Sequence, residues 1–183
     1  MLRLQYRLRI ACIVFLAGLL LSPSGTHAQK AAIPDYQLKA VFLFHFTRFV
    51  DWPSATFRSA SDPFIIGIIG DDPFGSYLDQ VIAGERVGTH QIQVRRITDI
   101  QGASSCHILY IGSRDPDFIR RVLSIVAGKS VLTVSDMPEY YHWQGIVRFF
   151  TEDNRIRLQI NVEQSRASDL MISAKLLSLA KTN

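Results

Sequence analysis

Cysteine is nearly absent: the 183-residue chain has two, Cys12 and Cys106. Cys12 lies inside an apolar run near the amino terminus, so a chain cut after that run keeps one thiol and forms no internal disulfide. Long apolar runs are missing as well. The run over 10–21 has twelve residues, and at ~1.5 Å rise per residue it cannot cross a ~30 Å hydrocarbon core. Arg3, Arg7 and Arg9 precede it and Thr26-His27-Ala28 follows it. That order of basic, apolar and small-x-small segments is read as a cleaved secretory signal, with an uncleaved anchor as the alternative. Residues 1–28 are read as the signal, residues 29–183 as one exported domain, and Cys12, inside the run and not at its end, as no lipid anchor.

An excess of either charge is also lacking. The formal charge of +4 belongs mostly to the leader: without residues 1–28, 17 Lys and Arg face 16 Asp and Glu, a net charge of +1. Arg95-Arg96 and Arg120-Arg121 fall on different elements, so no basic patch of the size nucleic acid requires is expected. Reaction motifs are missing too. Residues 70–75 have the glycine spacing of a phosphate loop but neither its Lys nor its Ser/Thr, and two aspartates there would repel an anion. Gly67 and Gly70 have no third glycine placed for a dinucleotide turn. Adjacent on a strand, Cys106 and His107 point to opposite faces, which rules out joint metal ligation or a thiolate–imidazole pair. His45, His90 and His142 stand at no ligand spacing. No catalytic set, metal or cofactor is expected, and the chain does not read as an enzyme.

What is present is an aromatic helix. Residues 35–53 begin beside Pro34 and stop at Pro53. At about 100° per residue, Leu38, Val41, Phe42, His45, Phe49 and Trp52 form one stripe, widened by Leu43, Phe46 and Val50. Gln37, Thr47, Arg48 and Asp51 hold the other face, with Phe44 among them. Beyond the helix, 63–70, 106–112 and 130–135 are short apolar runs bounded by Gly, Pro or Ser, the pattern of strands buried on both faces. Helices are expected after Asp71-Asp72-Pro73 and after Asp115-Pro116, and residues 91–97 read as a strand near an edge. Strand, Asp-Pro, helix, Gly, strand is βαβ grammar. The fold class is therefore α/β, a mostly parallel sheet covered by helices on both faces. A β-hairpin over 146–162 and a terminal helix over 163–181 close it.

Two surfaces attract attention. The strand ends collect Asp71, Asp72, Ser113, Arg114 and Asp136, where an open parallel sheet holds ligands. Helix capping explains most of them, yet a small-ligand crevice stays open as a reading. Residues 137–144 crowd Tyr140, Tyr141 and Trp143 into a loop, and with Phe44 and Arg48 these are the candidates for binding a partner protein or a second copy of the chain.

The blocks LKAVFLFHFTRFVDWP (38–53), IGDDPFG (69–75), CHILYI (106–111), LTVSD (132–136), RLQIN (157–161) and ISAKLLSLA (172–180) together resemble the YfiR family of bacterial periplasmic proteins. The resemblance implies a regulator. Such a protein binds the periplasmic sensor portion of an inner-membrane diguanylate cyclase and holds it inactive, and an outer-membrane lipoprotein draws the repressor away. Cyclic di-GMP output and biofilm formation then rise. Two departures stand out: Gln144-Gly145 replaces the double glycine usual before the hairpin, and the disulfides of some members are absent. The family supplies no catalytic residues to carry over. Because one thiol cannot bridge internally, the melting temperature of the exported domain should not respond to dithiothreitol; a shift of several degrees would contradict this.

Overall fold

The computed structural model describes residues 34–182; the signal expected over 1–28 lies outside them. The chain runs through α1 (Asp35–Phe49), β1 (Val50–Asp51), β2 (Phe64–Gly70), α2 (Ser76–Ile82), β3 (Arg86–Val87), β4 (His90–Ile97) and β5 (Ile108–Gly112). It continues through α3 (Pro116–Val126), β6 (Leu132–Ser135), β7 (Val147–Glu152), β8 (Arg155–Ile160), α4 (Val162–Ala167), β9 (Met171–Ile172), α5 (Ala174–Leu177) and β10 (Ala180–Thr182). Short 3-10 turns fill Ser54–Thr56, Ile100–Ser105 and Pro138–Trp143.

Side-chain alternation decides which layer each central strand serves. Phe64, Ile66 and Ile68 of β2 enter one core, while Ile65 and Ile69 enter the other. In β5, Ile108 and Tyr110 join the first core, and Leu109 and Ile111 the second. Helices α1 and α2 cover the first face through Leu43, Phe46, Leu78 and Ile82. On the second lie Ile119, Val122 and Val126 of α3, with Tyr140. Eight strands pair in the order β10-β8-β7-β6-β5-β2-β4-β3. Every pairing from β4 across to β7 is parallel. The hairpin partner β8 runs antiparallel to β7 and parallel to β10, and the edge strand β3 runs antiparallel to β4. This is the mostly parallel α/β sheet expected, with β4 one place from the edge.

The hairpin turn is Asp153-Asn154, both at positive φ (49° and 56°), a two-residue link whose twist matches that of the strands. The single helix expected over 163–181 is instead divided into α4, β9, α5 and β10. Asp169 at φ 54° ends the α4 turn, and Leu170 then swings into the core. The next two residues pair antiparallel with β1, Val50 opposite Ile172. Ser173 donates its backbone N–H to the Phe49 carbonyl and caps α5 with its side chain. The apolar spacing suited a helix, but the tertiary hydrogen bonds offered to β1 and β8 broke it.

Helix α1 also sits rotated from its expected stripe. Its buried line is Ala40, Leu43, Phe46 and Thr47, whereas His45 is exposed. Thr47 tolerates burial because its hydroxyl donates to the Phe44 carbonyl at 2.7 Å. Phe46 lies nearly parallel to Phe149 of the sheet, 6.1 Å between ring centres. The helix ends at Phe49, before Trp52, and α2 begins only after Gly75, so 71–75 is a loop.

Strands β2 and β5 end on glycines paired with each other, Gly70 with Gly112. There the Asp71 N–H donates to the Gly112 carbonyl at 2.6 Å. Gly70 has φ +83°, and a Cβ on Gly112 would lie inside the Asp71 carbonyl group. Gly112→Ala should therefore cost about 2 kcal/mol or more, because a backbone contact cannot yield as a side chain does. The urea unfolding midpoint measures it; an unchanged midpoint would show that the strand ends part freely.

Candidate functional site

The five strand-end residues arrive where parallel strands would place them. Their side chains are largely occupied. One Asp72 oxygen accepts from the N–H groups of Phe74 (2.8 Å) and Gly75 (3.1 Å). The other accepts from Arg96 Nε on β4 at 3.1 Å. The same guanidinium grips Asp79 at 2.8 and 2.6 Å, and this hydrogen bonding holds the Asp79 carboxyl below its ordinary range. Arg96 thus ties the β2–α2 loop to the neighbouring strand. Ser113 Oγ accepts the Asp115 N–H, and Asp115 caps α3 through the Asp117 N–H at 2.9 Å. Asp136 receives Lys39 Nζ at 3.0 Å, pinning α1 to the end of β6. Asp71 and Arg114 are exposed. Between β2 and β5 the crevice is filled by the Gly70–Gly112 backbones. An open cleft of about 730 Å³ does lie nearby, but Ile69, Ile97, Asp99, Ile100, Phe118 and Arg121 line it, and none of the five residues does.

The partner candidates divide differently. Phe44 is half-buried against the first core, and exposed Arg48 holds its guanidinium 5.4 Å from the Phe44 ring centre. Arg48 also pairs with Glu85 at 2.8 Å. Tyr140 is a correction: expected in an exposed loop, it is fully buried, and that burial pushes its phenol well above the ordinary range. Its ring occupies the space a Cβ at Gly145 would need, so Gly145 is fixed by packing. Gln144 takes the left-handed conformation, φ 66° and ψ 25°. The substituted glycine position therefore keeps its backbone path at about 1 kcal/mol of strain. Tyr141 and Trp143 are half-buried on the same turn, and Trp143 is covered by the Arg120 guanidinium at 5.2 Å.

One cluster escaped the sequence reading, a file of four stacked rings at the start of β2. His90 stacks on Phe57 at 3.7 Å, Phe57 on His107 at 4.7 Å and His107 on Phe64 at 4.6 Å. Trp52 meets Phe64 edge-on at 4.9 Å, and its indole N–H donates to the His107 carbonyl. Histidines at positions 90 and 107 have no sequence spacing that signals contact; only the pairing of β2 between β4 and β5 brings them to one phenylalanine. Among the described residues, the large apolar side chains most open to solvent, Met171 (69%) and Leu179 (63%), were likewise hidden by the helix expected over 163–181.

The described residues form a doubly wound α/β domain in which Asp72, Asp115 and Asp136 hold its own loops and Phe44, Phe49, Trp143 and Phe150 each lie beside a cation. The model of the YfiR/HmsC-like family matches residues 36–181. The chain belongs to that family, one of regulators of diguanylate cyclase signalling. No curated protein sequence matches the chain. Among the described residues, no helix is long and apolar enough to cross a membrane.

Acid should find the ring stack first. His107 Nδ1 accepts the Ile65 N–H at 3.0 Å, which requires the neutral imidazole. Burial, reinforced by nearby His90 and Arg95 against the opposing pull of Asp62, lowers its pKa from 6.5 to about 4. The unfolded chain therefore binds the proton more readily, and stability is lost as pH falls from 6.5 toward 4. The loss expected from this group is on the order of 2 kcal/mol, read as a falling urea midpoint. His107→Gln should flatten that slope; an identical slope would assign acid lability elsewhere.

Proposed function

We propose that this protein is a periplasmic repressor. It docks on the periplasmic sensor domain of an inner-membrane diguanylate cyclase, holds it inactive, and so limits cyclic di-GMP and biofilm formation. The observation that carries this reading is the family match over residues 36–181. The signal-like leader supports it, because export delivers the domain to the side of the membrane where such a sensor lies. Asp72, Asp115 and Asp136, committed to caps and ion pairs, suit a scaffold that presents surfaces, and the reading assigns no reaction to the chain.

Repression needs a difference in affinity. By binding the inactive form of the sensor more tightly than the active one, the repressor shifts the population, each tenfold preference contributing about 1.4 kcal/mol. Phe44 with Arg48, and Tyr141 with Trp143, are the proposed contact residues. Large aromatics that stay partly accessible contribute most where an interface closes over them. An outer-membrane lipoprotein that takes up the same surfaces would lift repression, and a second copy of the chain would compete for them.

Deleting the gene in its own bacterium should raise cyclic di-GMP, and removing membrane diguanylate cyclases one at a time should reveal one whose loss cancels the rise. Phe44→Ala and Trp143→Ala, each confirmed by circular dichroism to fold, should each weaken repression. An unchanged cyclic di-GMP level on deletion sinks the repressor reading. Normal repression and self-association by both folded variants would sink only the choice of contact residues.

A further inference from the structure

The outer third of the sheet has one face packed on the core and a second on which no outward residue is fully buried. Val147 and Phe149 of β7, Ile156, Leu158 and Ile160 of β8, and Ala180 of β10 turn toward the core beneath α1. By the two-residue period, Arg148, Phe150 and Glu152, Arg155, Arg157 and Gln159, and Lys181 turn the other way. Register sets them in rows across the strands: Lys181 and Arg148 flank Gln159, Arg157 lies opposite Phe150, and Arg155 opposite Glu152. Arg155 is exposed, and the side chains of Arg157 and Lys181 are 43% and 61% exposed. Four cations therefore face one carboxylate, on an exported domain whose net charge is +1. Glu152 is shared between Lys181 at 2.6 Å and Arg157 at 3.9 Å, and it cannot neutralise the group.

At the centre stands Phe150, half-buried, with the Arg148 guanidinium 5.0 Å and the Lys181 ammonium 5.2 Å from its ring centre. Arg148 is further fixed by donating to the Pro138 carbonyl at 2.9 Å. Arg155 and Arg157 stand two residues apart on one face of a strand paired to β7, so two planar donor groups rise from a fixed backbone about 7 Å apart beside a partly accessible aromatic, which matches the needs of a carboxylate-bearing protein surface. Adsorption to anionic lipid needs only loosely held positive charge, and Arg and Lys on flexible tails serve it equally well.

We infer that this basic sheet face is a docking surface for an acidic segment of a partner protein, with Arg155 and Arg157 receiving its carboxylates around Phe150. The inference rests on the repressor reading, and names the acidic segment as part of the cyclase's periplasmic domain. The outward face of β7, β8 and β10 then complements the aromatic contacts of Phe44 and Trp143.

The probe is the purified periplasmic domain of the cyclase whose deletion cancels the rise in cyclic di-GMP. Arg155→Glu/Arg157→Glu and the milder Arg155→Gln/Arg157→Gln should keep the parent's circular dichroism and melting temperature. At about 0.15 M salt, the Glu variant should bind that domain roughly tenfold or more weakly and the Gln variant by an intermediate factor. The parent's association rate should fall steeply with added salt, and that of the Glu variant only slightly. Parent binding with no change in either folded variant overturns the inference and leaves the repressor reading intact. No binding by the parent tells against the repressor reading itself. Vesicles of equal parts phosphatidylglycerol and phosphatidylcholine form the second arm. Sedimentation of the parent with them, lost in the Glu variant while cyclase binding persists, would assign the face to lipid and overturn the inference.

Discussion

β2 has no side that faces water. Its six residues Phe64 to Ile69 are buried, pressed between α1 and α2 on one face and the layer of α3 on the other, with β4 and β5 as lateral neighbours. A strand in that position must satisfy its backbone entirely within the sheet and fill both layers with side chains. The rest of the architecture answers to that demand. The two helical layers exist because odd and even residues of β2 both need cover, and the ring stack of His107, Phe57 and His90 closes the entry to the strand. At its exit Gly70 and Gly112 bring the two backbones together, and the open cleft beside them is lined by Ile69, Ile97 and Phe118 and not by Asp71, Asp72 or Asp136.

Charge is managed locally around this interior. Arg96 on β4 gathers Asp72 and Asp79, and Lys39 takes Asp136. Each pair joins elements far apart in sequence, and partial exposure keeps the contribution of each modest. Their main effect is positional: they fix the loops at the strand ends and leave no concentrated field there. The cations of β7, β8 and β10 stand apart from this arrangement, with Glu152 as the only outward carboxylate on those three strands.

A motif recurs on the proposed surfaces and beside them. Phe44 lies under Arg48, Trp143 under Arg120, Phe49 under Lys175, and Phe150 between Arg148 and Lys181. An exposed cation–π contact is worth about 0.5–1 kcal/mol, enough to shield an aromatic from indiscriminate association and little enough for a partner to displace. Such a surface suits the repressor proposed above, whose contacts would have to form and later be displaced.

Much of the fold was legible because its rules are local. Continuous apolar runs at 63–70, 106–112 and 130–135 marked strands buried on both sides, and Asp-Pro and Gly marked the helices between them. Asp153-Asn154 fitted a hairpin turn. The ordered blocks from 38 to 180 pointed to the family without any geometry. Other features depended on hydrogen bonds and neighbours that no window of sequence contains. The apolar spacing of 163–181 is compatible with a helix, yet Asp169 turns left-handed, Ile172 pairs with Val50, and Ala180 to Thr182 add a strand beside β8. Tyr140 looked exposed because its aromatic-rich segment read as a loop, but the pocket left by Gly145 draws it inside. The outward set on β7, β8 and β10 is the clearest division. Alternation alone put Arg155 and Arg157 opposite Ile156 and Leu158; only the pairing of three strands placed Arg148 and Lys181 around Phe150, because neighbours across a sheet are fixed by register and not by distance along the chain.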